Sequence, residues 1–150
     1  MLTLNQIVRR LQTIAESHKQ IRGFYFGNVT DFLTDKTTRY ASAFLQDQPG
    51  TIDSAGKTIT YLFKMFFLDL ENVSEGAQAN TLDVQSDMLQ VAADIIAEID
   101  FHGFVDWSVS TQSGFVLVRE SFDDMVAGCV VDISIQTPYV KDICAVPNNV

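Results

Sequence analysis

Apolar side chains are so dense along residues 57–70 that this stretch predicts a central β-strand. Residues 59, 61, 63, 65 and 67 would point to one side and residues 62, 66, 68 and 70 to the other, where only Lys64 interrupts the apolar pattern. Because β-branched and aromatic residues favour extended backbone, we expect a strand that is covered on both faces. A buried helix is the alternative for an apolar run of this length, but Gly56 and an extended stretch upstream favour the strand.

Two other segments have the spacing of amphipathic helices. Residues 3–17 carry one apolar stripe, and Thr3 with Gln6 has the spacing of a capping box. A second helix opens at Asn80 or Thr81 and closes at 102–103, where a glycine follows the last turn. Both stripes are broad enough to pack against a sheet.

The remaining pattern predicts strands separated by turns. Residues 24–33 fit a short strand that is followed by either a turn or a helical step. Further strands are expected at residues 39–46, 105–111, 114–120 and 125–137, with a polar turn at 121–124 and the end of pairing at Pro138. The fold class that follows is α+β: an antiparallel β-sheet with a long β-hairpin, packed by two α-helices on one side. Residues 1–138 would form one domain, and residues 139–150 a C-terminal tail.

The connection between the first long strand and the central strand is polar and rich in turn residues. This segment, residues 46–56, is called the hairpin tip, and it contains Pro49-Gly50 and a second glycine, both loop signals. A loop of this length in a small domain is usually functional or disordered. We therefore expect it to contact a neighbouring protein, through the residues Asp47, Gln48, Pro49, Thr51, Ile52 and Asp53.

The charge of the chain narrows the classes of partner. The formal charge is −9, and no Lys or Arg lies between Met65 and Leu117. Sequence-independent binding of nucleic acid needs cationic side chains, so we do not expect this protein to hold DNA. Charged residues are 19 % of the chain, below the ~25 % typical of soluble domains. This shortage indicates that part of the surface is buried against another chain.

The sequence shows no arrangement of residues that is typical of catalysis or of metal binding. It contains no Gly-rich phosphate loop, no His-x-x-x-His and no Cys-x-x-Cys, and its two histidines fall at helix ends. We therefore expect no enzyme, no cofactor and no metal. Cys129 and Cys144 are expected to be free thiols, because neither a signal peptide nor an apolar run of membrane-spanning length is present.

The order of elements resembles a family of viral structural proteins. This order, together with residues 123–138 (DDMVAGCVVDISIQTP) and a short tail with the lone Cys144, resembles tail-terminator, tail-completion and neck-ring (head–tail connector) proteins of tailed bacteriophages. The C-terminal segment is similar in style to versions from crAss-like phages of gut Bacteroidales.

The resemblance implies a structural virion protein of the phage neck or tail, made in the cytoplasm of the bacterial host. Six or twelve identical subunits would form a ring through whose lumen DNA passes without specific binding, and neighbouring neck, tail or portal-side proteins would be its partners. The family has no catalytic residues. Tail residues Tyr139, Cys144 and Pro147 are then further candidates for contacts with neighbours. Negative charge would let the genome slide through the lumen.

Two alternatives of other classes remain open at the level of sequence. One is a small soluble α+β binding protein that holds an apolar ligand against Phe63, Phe67 and Trp107. The other is an assembly adaptor or chaperone. Neither of them requires a ring.

Overall fold

The computed structural model describes residues 2–35, 37–71, 80–102, 106–110, 114–121, 125–139 and 147. Within these residues the elements are α1 (Leu4–Glu16), β1 (Gly23–Phe26), α2 (Val29–Leu33), β2 (Ser42–Asp53), β3 (Thr58–Leu70), α3 (Thr81–His102), β4 (Ser108–Val109), β5 (Phe115–Ser121) and β6 (Met125–Pro138). The class is α+β, as expected from the sequence.

The strands form one mixed sheet with the order β1-β2-β3-β6-β4. β1 pairs with β2 in parallel, and all other pairs are antiparallel. β4 and β5 both pair with β6, at different positions along that strand. The sheet therefore ends with β1 on one side and with β4 and β5 on the other. The expected purely antiparallel sheet is wrong at β1.

One face of the sheet carries the main core, as the central-strand prediction requires. Phe63, Met65 and Phe67 of β3 are buried there, and they pair in register with Ile133, Val131 and Cys129 of β6. We call this the helix face, because α1 and α3 both contribute buried residues to its core. α3 packs on β3 and β6, whereas α1 packs on β1 and α3. The two predicted helices thus lie on one side of the sheet.

Local sequence signals explain how α1 begins. The Thr3 side chain accepts from the N–H of Gln6, and the Gln6 side chain accepts from the N–H of Thr3, which confirms the capping box. These two bonds satisfy backbone donors that the first turn of a helix leaves unpaired. α3 begins at Thr81 and has Asp83 in its first turn, where the helix dipole favours an anion.

The other face of the sheet, called the open face, is covered by described residues at one end only. There the short helix α2, which the expected pair of helices did not include, places Leu33 against Phe44, Leu68 and Val126. Farther along β3 on the same face, Leu62 is 39 % exposed. The prediction that β3 is covered on both faces is therefore wrong for this half of the strand.

The hairpin tip is the largest difference from the sequence-based prediction. Residues 46–53 continue β2 instead of forming a loop, and only residues 54–57 form the turn. The loop signal at Pro49-Gly50 corresponds to a β-bulge, because the register shifts between Gln48 and Thr51. Proline and glycine are compatible with an edge strand at a bulge, so these residues mark an irregularity and not the end of the strand.

Smaller differences concern the ends of elements. Residues 24–33 contain both a strand and a helix, β1 and α2. The strand expected at 105–111 is limited to Ser108–Val109 among the described residues, and most of the turn at 121–124 lies outside them. Pairing reaches Pro138, which is the register partner of Thr58, so the last strand is one residue longer than the expected range 125–137 and ends at Pro138 as predicted.

Gly128 shows why a glycine stands in the middle of β6. A Cβ atom at this position would collide with the carbonyl oxygen of Phe67 on the adjacent strand. The pairing of β3 with β6 is continuous through Gly128, so the glycine permits close approach of two backbones, not a bulge.

We expect Phe67→Ala to lower the free energy of unfolding by about 3–5 kcal/mol, because the ring is fully buried and its removal leaves a cavity. Urea unfolding monitored by circular dichroism measures the change. Leu62→Ala, on the same strand but the open face, is the matched control and should cost about 1 kcal/mol or less. Equal losses from the two variants would contradict the assignment of faces.

Candidate assembly surfaces

The six residues singled out in the hairpin tip follow one another along the distal half of β2. Gln48 is half-buried, whereas Asp47, Pro49, Thr51, Ile52 and Asp53 are exposed. Ile52 is a large apolar side chain with 70 % of its surface exposed. The structure therefore brings these residues together on a paired strand, and their backbone is held by β3.

The outer edge of this half of β2 is poorly suited to pairing with a further strand. Pro49 has no backbone N–H, and the bulge at Pro49 and Gly50 disturbs the regular spacing of donors and acceptors. Proline and bulges are devices that protect edge strands from unwanted pairing. Contacts of the hairpin tip with a neighbour should therefore be made by side chains.

The turn at the end of the hairpin is fixed by local bonds. The Asp53 carboxylate accepts from the N–H of Gly56 at 2.8 Å, and Lys57 adopts a positive φ of 56°. Tyr139, the first residue of the predicted tail, donates its N–H to the carbonyl of Lys57 at 2.6 Å. Pro147 is exposed, and Cys144 lies outside the described residues. Of the three tail candidates, Tyr139 is thus placed beside the hairpin turn.

β5 is an edge strand with apolar residues in its first half. Phe115, Val116 and Leu117 are 55 %, 61 % and 45 % exposed. The N–H of Asp132 donates to the carbonyl of Gly114, so Gly114 faces β6. Because backbone groups alternate in direction along an antiparallel pair, those of Phe115 and Leu117 point away from the sheet. This edge lacks the proline and bulge of β2.

The opposite edge of the sheet is bordered by an apolar groove between α1 and β1. The groove has a volume of about 390 Å³ and is lined by Leu4, Asn5, Val8, Arg9, Gln12, Phe24 and Phe26. Leu4 and Phe26 are 43 % and 41 % exposed. Arg9 is the one charged residue in this lining. The groove thus combines an exposed apolar floor with a single cation.

Polar contacts hold β5 against the rest of the domain. The Glu71 side chain, 2 % exposed, accepts from Arg119 of β5 at 3.0 Å and from the hydroxyl of Thr81 at 2.7 Å. The Gln85 side chain of α3 donates to the carbonyl of Val118 at 3.1 Å. A buried carboxylate needs such partners to be tolerated. These contacts therefore fix the position of β5 in the domain, although its outer edge is exposed.

Asp87 and Asp94 of α3 lie on the side that faces the segment after α1. His18 contacts Asp94 at 3.0 Å, and a groove between α3 and the segment after α1 brings Lys19 and Arg22 to one lining with Asp87. These acidic residues were expected to repel DNA, but they also lie beside basic residues inside the subunit. The other side of α3, which carries Gln85, faces β5.

Arg10 links α1 to the segment before β4. Its two terminal nitrogens each donate to Asp106 at 2.7 Å, and its guanidinium lies 5.2 Å from the centre of the Trp107 ring. The hydrogen bonds from Arg10 lower the pKa of Asp106, and the hydrogen bond to Asp106 raises the pKa of Arg10. The pair thus ties α1 to the segment that leads into β4.

Neither a metal site nor a membrane-spanning helix occurs in the part of the chain that the structure describes. No group of three His, Cys, Asp or Glu side chains there could hold a metal ion, and no described helix is long and apolar enough to cross a bilayer. Cys129 is a free, buried thiol. Burial raises its pKa to about 11.

The residues named for an apolar ligand are occupied by the core of the protein itself. Phe63, Phe67 and Trp107 are 2 %, 0 % and 7 % exposed, and all three belong to the core on the helix face. A ligand could reach them only by displacing α1 or α3. The binding-protein alternative therefore lacks the apolar surface on which it was based.

Sequence reasoning missed both the exposed edge of β5 and the groove beside β1. The strand at 114–120 was predicted, but alternation alone does not tell whether a strand lies in the middle or at the edge of a sheet. The groove depends on how α1 crosses β1, which is a tertiary contact. The unbroken apolar run Phe115-Val116-Leu117-Val118 was the one local signal of an unusual strand.

Comparison with known proteins gives no relative for this chain: no protein-family model matches the sequence, and no curated protein matches it significantly. The surfaces described above therefore have to be interpreted from their own geometry.

We expect Cys129 to resist alkylation by iodoacetamide at pH 8 in the folded protein, because its raised pKa and its burial remove the thiolate. The variant Cys144→Ser isolates this thiol, and intact mass spectrometry counts the label. Denaturation in guanidinium should permit labelling within minutes. Rapid labelling without denaturant would contradict the placement of Cys129 in the core.

Proposed function

We propose that this protein is a structural subunit of a ring in the neck or tail of a tailed bacteriophage, as a head–tail connector or tail terminator. Six or twelve copies would surround the channel through which DNA passes, and the subunit would reside in the virion after synthesis in the host cytoplasm. The resemblance of residues 123–138 and of the element order suggested this role.

The observation that carries the proposal is the unlike character of the two ends of the sheet. One end is an exposed apolar strand, β5, and the other is the short strand β1 beside an apolar groove. A closed ring is built from contacts between two different patches of the same subunit. Unlike ends on opposite sides of one sheet supply such patches.

The hairpin tip is suited to making contacts between successive rings. Its last residues extend beyond the core, since residues 49–57 are all exposed, and Ile52 has no cover within the described residues. A paired strand can present Ile52 and its polar neighbours at low conformational cost, because the backbone is already ordered. The hairpin tip therefore acts here as a preformed contact surface for a neighbouring ring protein.

The charge of the subunit is compatible with a DNA channel. With a net charge of −9, a ring of six or twelve copies would repel phosphates, so the genome would pass without being held. Uniform repulsion needs no specific binding residues.

We expect the purified protein to form a species whose mass is six or twelve times the 16.7 kDa of the chain. Native mass spectrometry over a range of protein concentrations measures the stoichiometry, and negative-stain electron microscopy of the same sample shows whether a central channel is present. A chain that stays monomeric at every concentration, or that forms a two-fold dimer only, would argue against the ring.

We expect Ile52→Asp to leave the subunit folded and able to form its own ring, but to weaken attachment to the adjacent ring at least tenfold. The reason is that Ile52 is exposed and belongs to no core cluster within the described residues. Complementation of a phage lacking the parent gene, together with micrographs of unjoined heads and tails, measures attachment. Ser86→Asp, at an exposed position of α3 outside the hairpin tip, is the control for added charge alone. Normal particle yield from Ile52→Asp would show that the hairpin tip makes no such contact.

A further inference from the structure

We infer that β5 of one copy pairs antiparallel with β1 of the next copy, and that Phe115 and Leu117 enter the groove between α1 and β1. The inference rests on the proposed ring and names the contact that closes it. The occupant of the groove is thus a second copy of this chain.

The directions of the strands allow this pairing. β5 runs antiparallel to β6, β6 to β3 and β3 to β2, whereas β1 runs parallel to β2. β5 therefore runs opposite to β1, and when copies are placed side by side in the same orientation their sheets join antiparallel. Antiparallel edges exchange backbone hydrogen bonds across directly opposed residues.

The backbone groups at the two edges are also in position. Gly27 donates its N–H to the carbonyl of Leu45, so the backbone groups of Gly27 point toward β2. Because backbone groups alternate in direction along a strand, the N–H and C=O groups of Phe26 and Phe24 point away from the sheet. Phe115 and Leu117 point outward at the other edge by the same reasoning from Gly114. Pairs of Phe26 with Phe115 and of Phe24 with Leu117 satisfy both edges.

The side chains of these pairs meet on the same face. Phe24 and Phe26 are register partners of Ala43 and Leu45, and both partners are buried on the helix face. Phe115 and Leu117 are register partners of Val131 and Cys129, which are buried on that face as well. Joining the sheets therefore places two exposed apolar side chains over the groove of the neighbour.

The helices that border the junction carry complementary charges. α3 turns the side with Gln85 toward β5, and helical spacing places Leu89, Ile96 and Asp100 along that side. Arg9 is the cation in the groove beside α1. In the joined sheet α3 of one copy adjoins α1 of the next, so the helix that carries Asp100 lies beside the helix that carries Arg9, and their opposite charges favour the head-to-tail arrangement.

The other free edge competes poorly for β5. The outer edge of β2 beyond Leu45 contains Pro49 and the bulge, whereas β1 contains neither. A junction at β1 also has a consequence for the whole ring. Copies that keep the same strand direction are related by rotation about an axis along the strands, so all hairpin tips project from one end of the ring.

Two charge-introducing variants and their mixture test the junction. Phe115→Glu removes the inserted side chain, and Phe26→Glu blocks the groove, so each alone should reduce the ring to monomers. Each variant keeps the surface that the other lacks. Their equimolar mixture should therefore give dimers and no larger species in native mass spectrometry, because one intact junction remains possible per pair. Leu62→Glu, at a similarly exposed site on the open face, is the control and should keep the ring.

Cysteine cross-linking distinguishes this junction from a two-fold contact of β5 with itself. In the Cys144→Ser background, the double variant Phe26→Cys and Phe115→Cys should give a ladder of cross-linked multimers, and neither single variant should cross-link. Dimers from Phe115→Cys alone would overturn the inference in favour of a two-fold contact. A ring that withstands both Glu variants would overturn it while leaving the proposed function intact. A parent protein that does not oligomerise, together with a double-cysteine variant that does not cross-link, would contradict both.

Discussion

Burial of the helix face of β3 is the contact on which the rest of this structure depends. Phe63, Met65 and Phe67 are covered there by α1 and α3, and each strand of the sheet pairs with β3 directly or through β2 or β6. Among the described residues, α1 and α3 cover the middle of this face, and the two ends of the sheet stay accessible. The same arrangement that makes the core therefore leaves the surfaces available for assembly.

Much of this arrangement could be predicted from the sequence, and the reasons are physical. The central strand, α1 with its capping box and α3 follow from local periodicity and from side-chain bonds over three residues. The hairpin tip was mistaken for a loop because Pro49 and Gly50 serve a bulge as well as a turn, and local sequence does not separate the two. The parallel pairing of β1, the position of α2 and the edge location of β5 depend on contacts between distant segments, which single-sequence patterns do not contain.

The candidate site differs from the sequence-based prediction more than the fold does. Five of the six residues singled out in the hairpin tip are exposed and Gln48 is half-buried, yet their order comes from pairing with β3 and not from a partner. The more informative surfaces are Phe115 and Leu117 on one edge and the groove beside Phe24 and Phe26 on the other. Their match in strand direction and in face is a property of the whole sheet. A single subunit with unlike, complementary ends is a unit that can repeat.

Hydrogen exchange measured at low and at high protein concentration tests this central claim most directly, because amide protection reports whether backbone groups at a sheet edge are bonded. The account predicts that peptides covering 115–121 and 23–27 gain protection as concentration rises, while the hairpin turn at residues 54–57 exchanges equally at both concentrations. Protection that is independent of concentration at both edges, or a gain confined to the hairpin turn, would contradict assembly through the ends of the sheet.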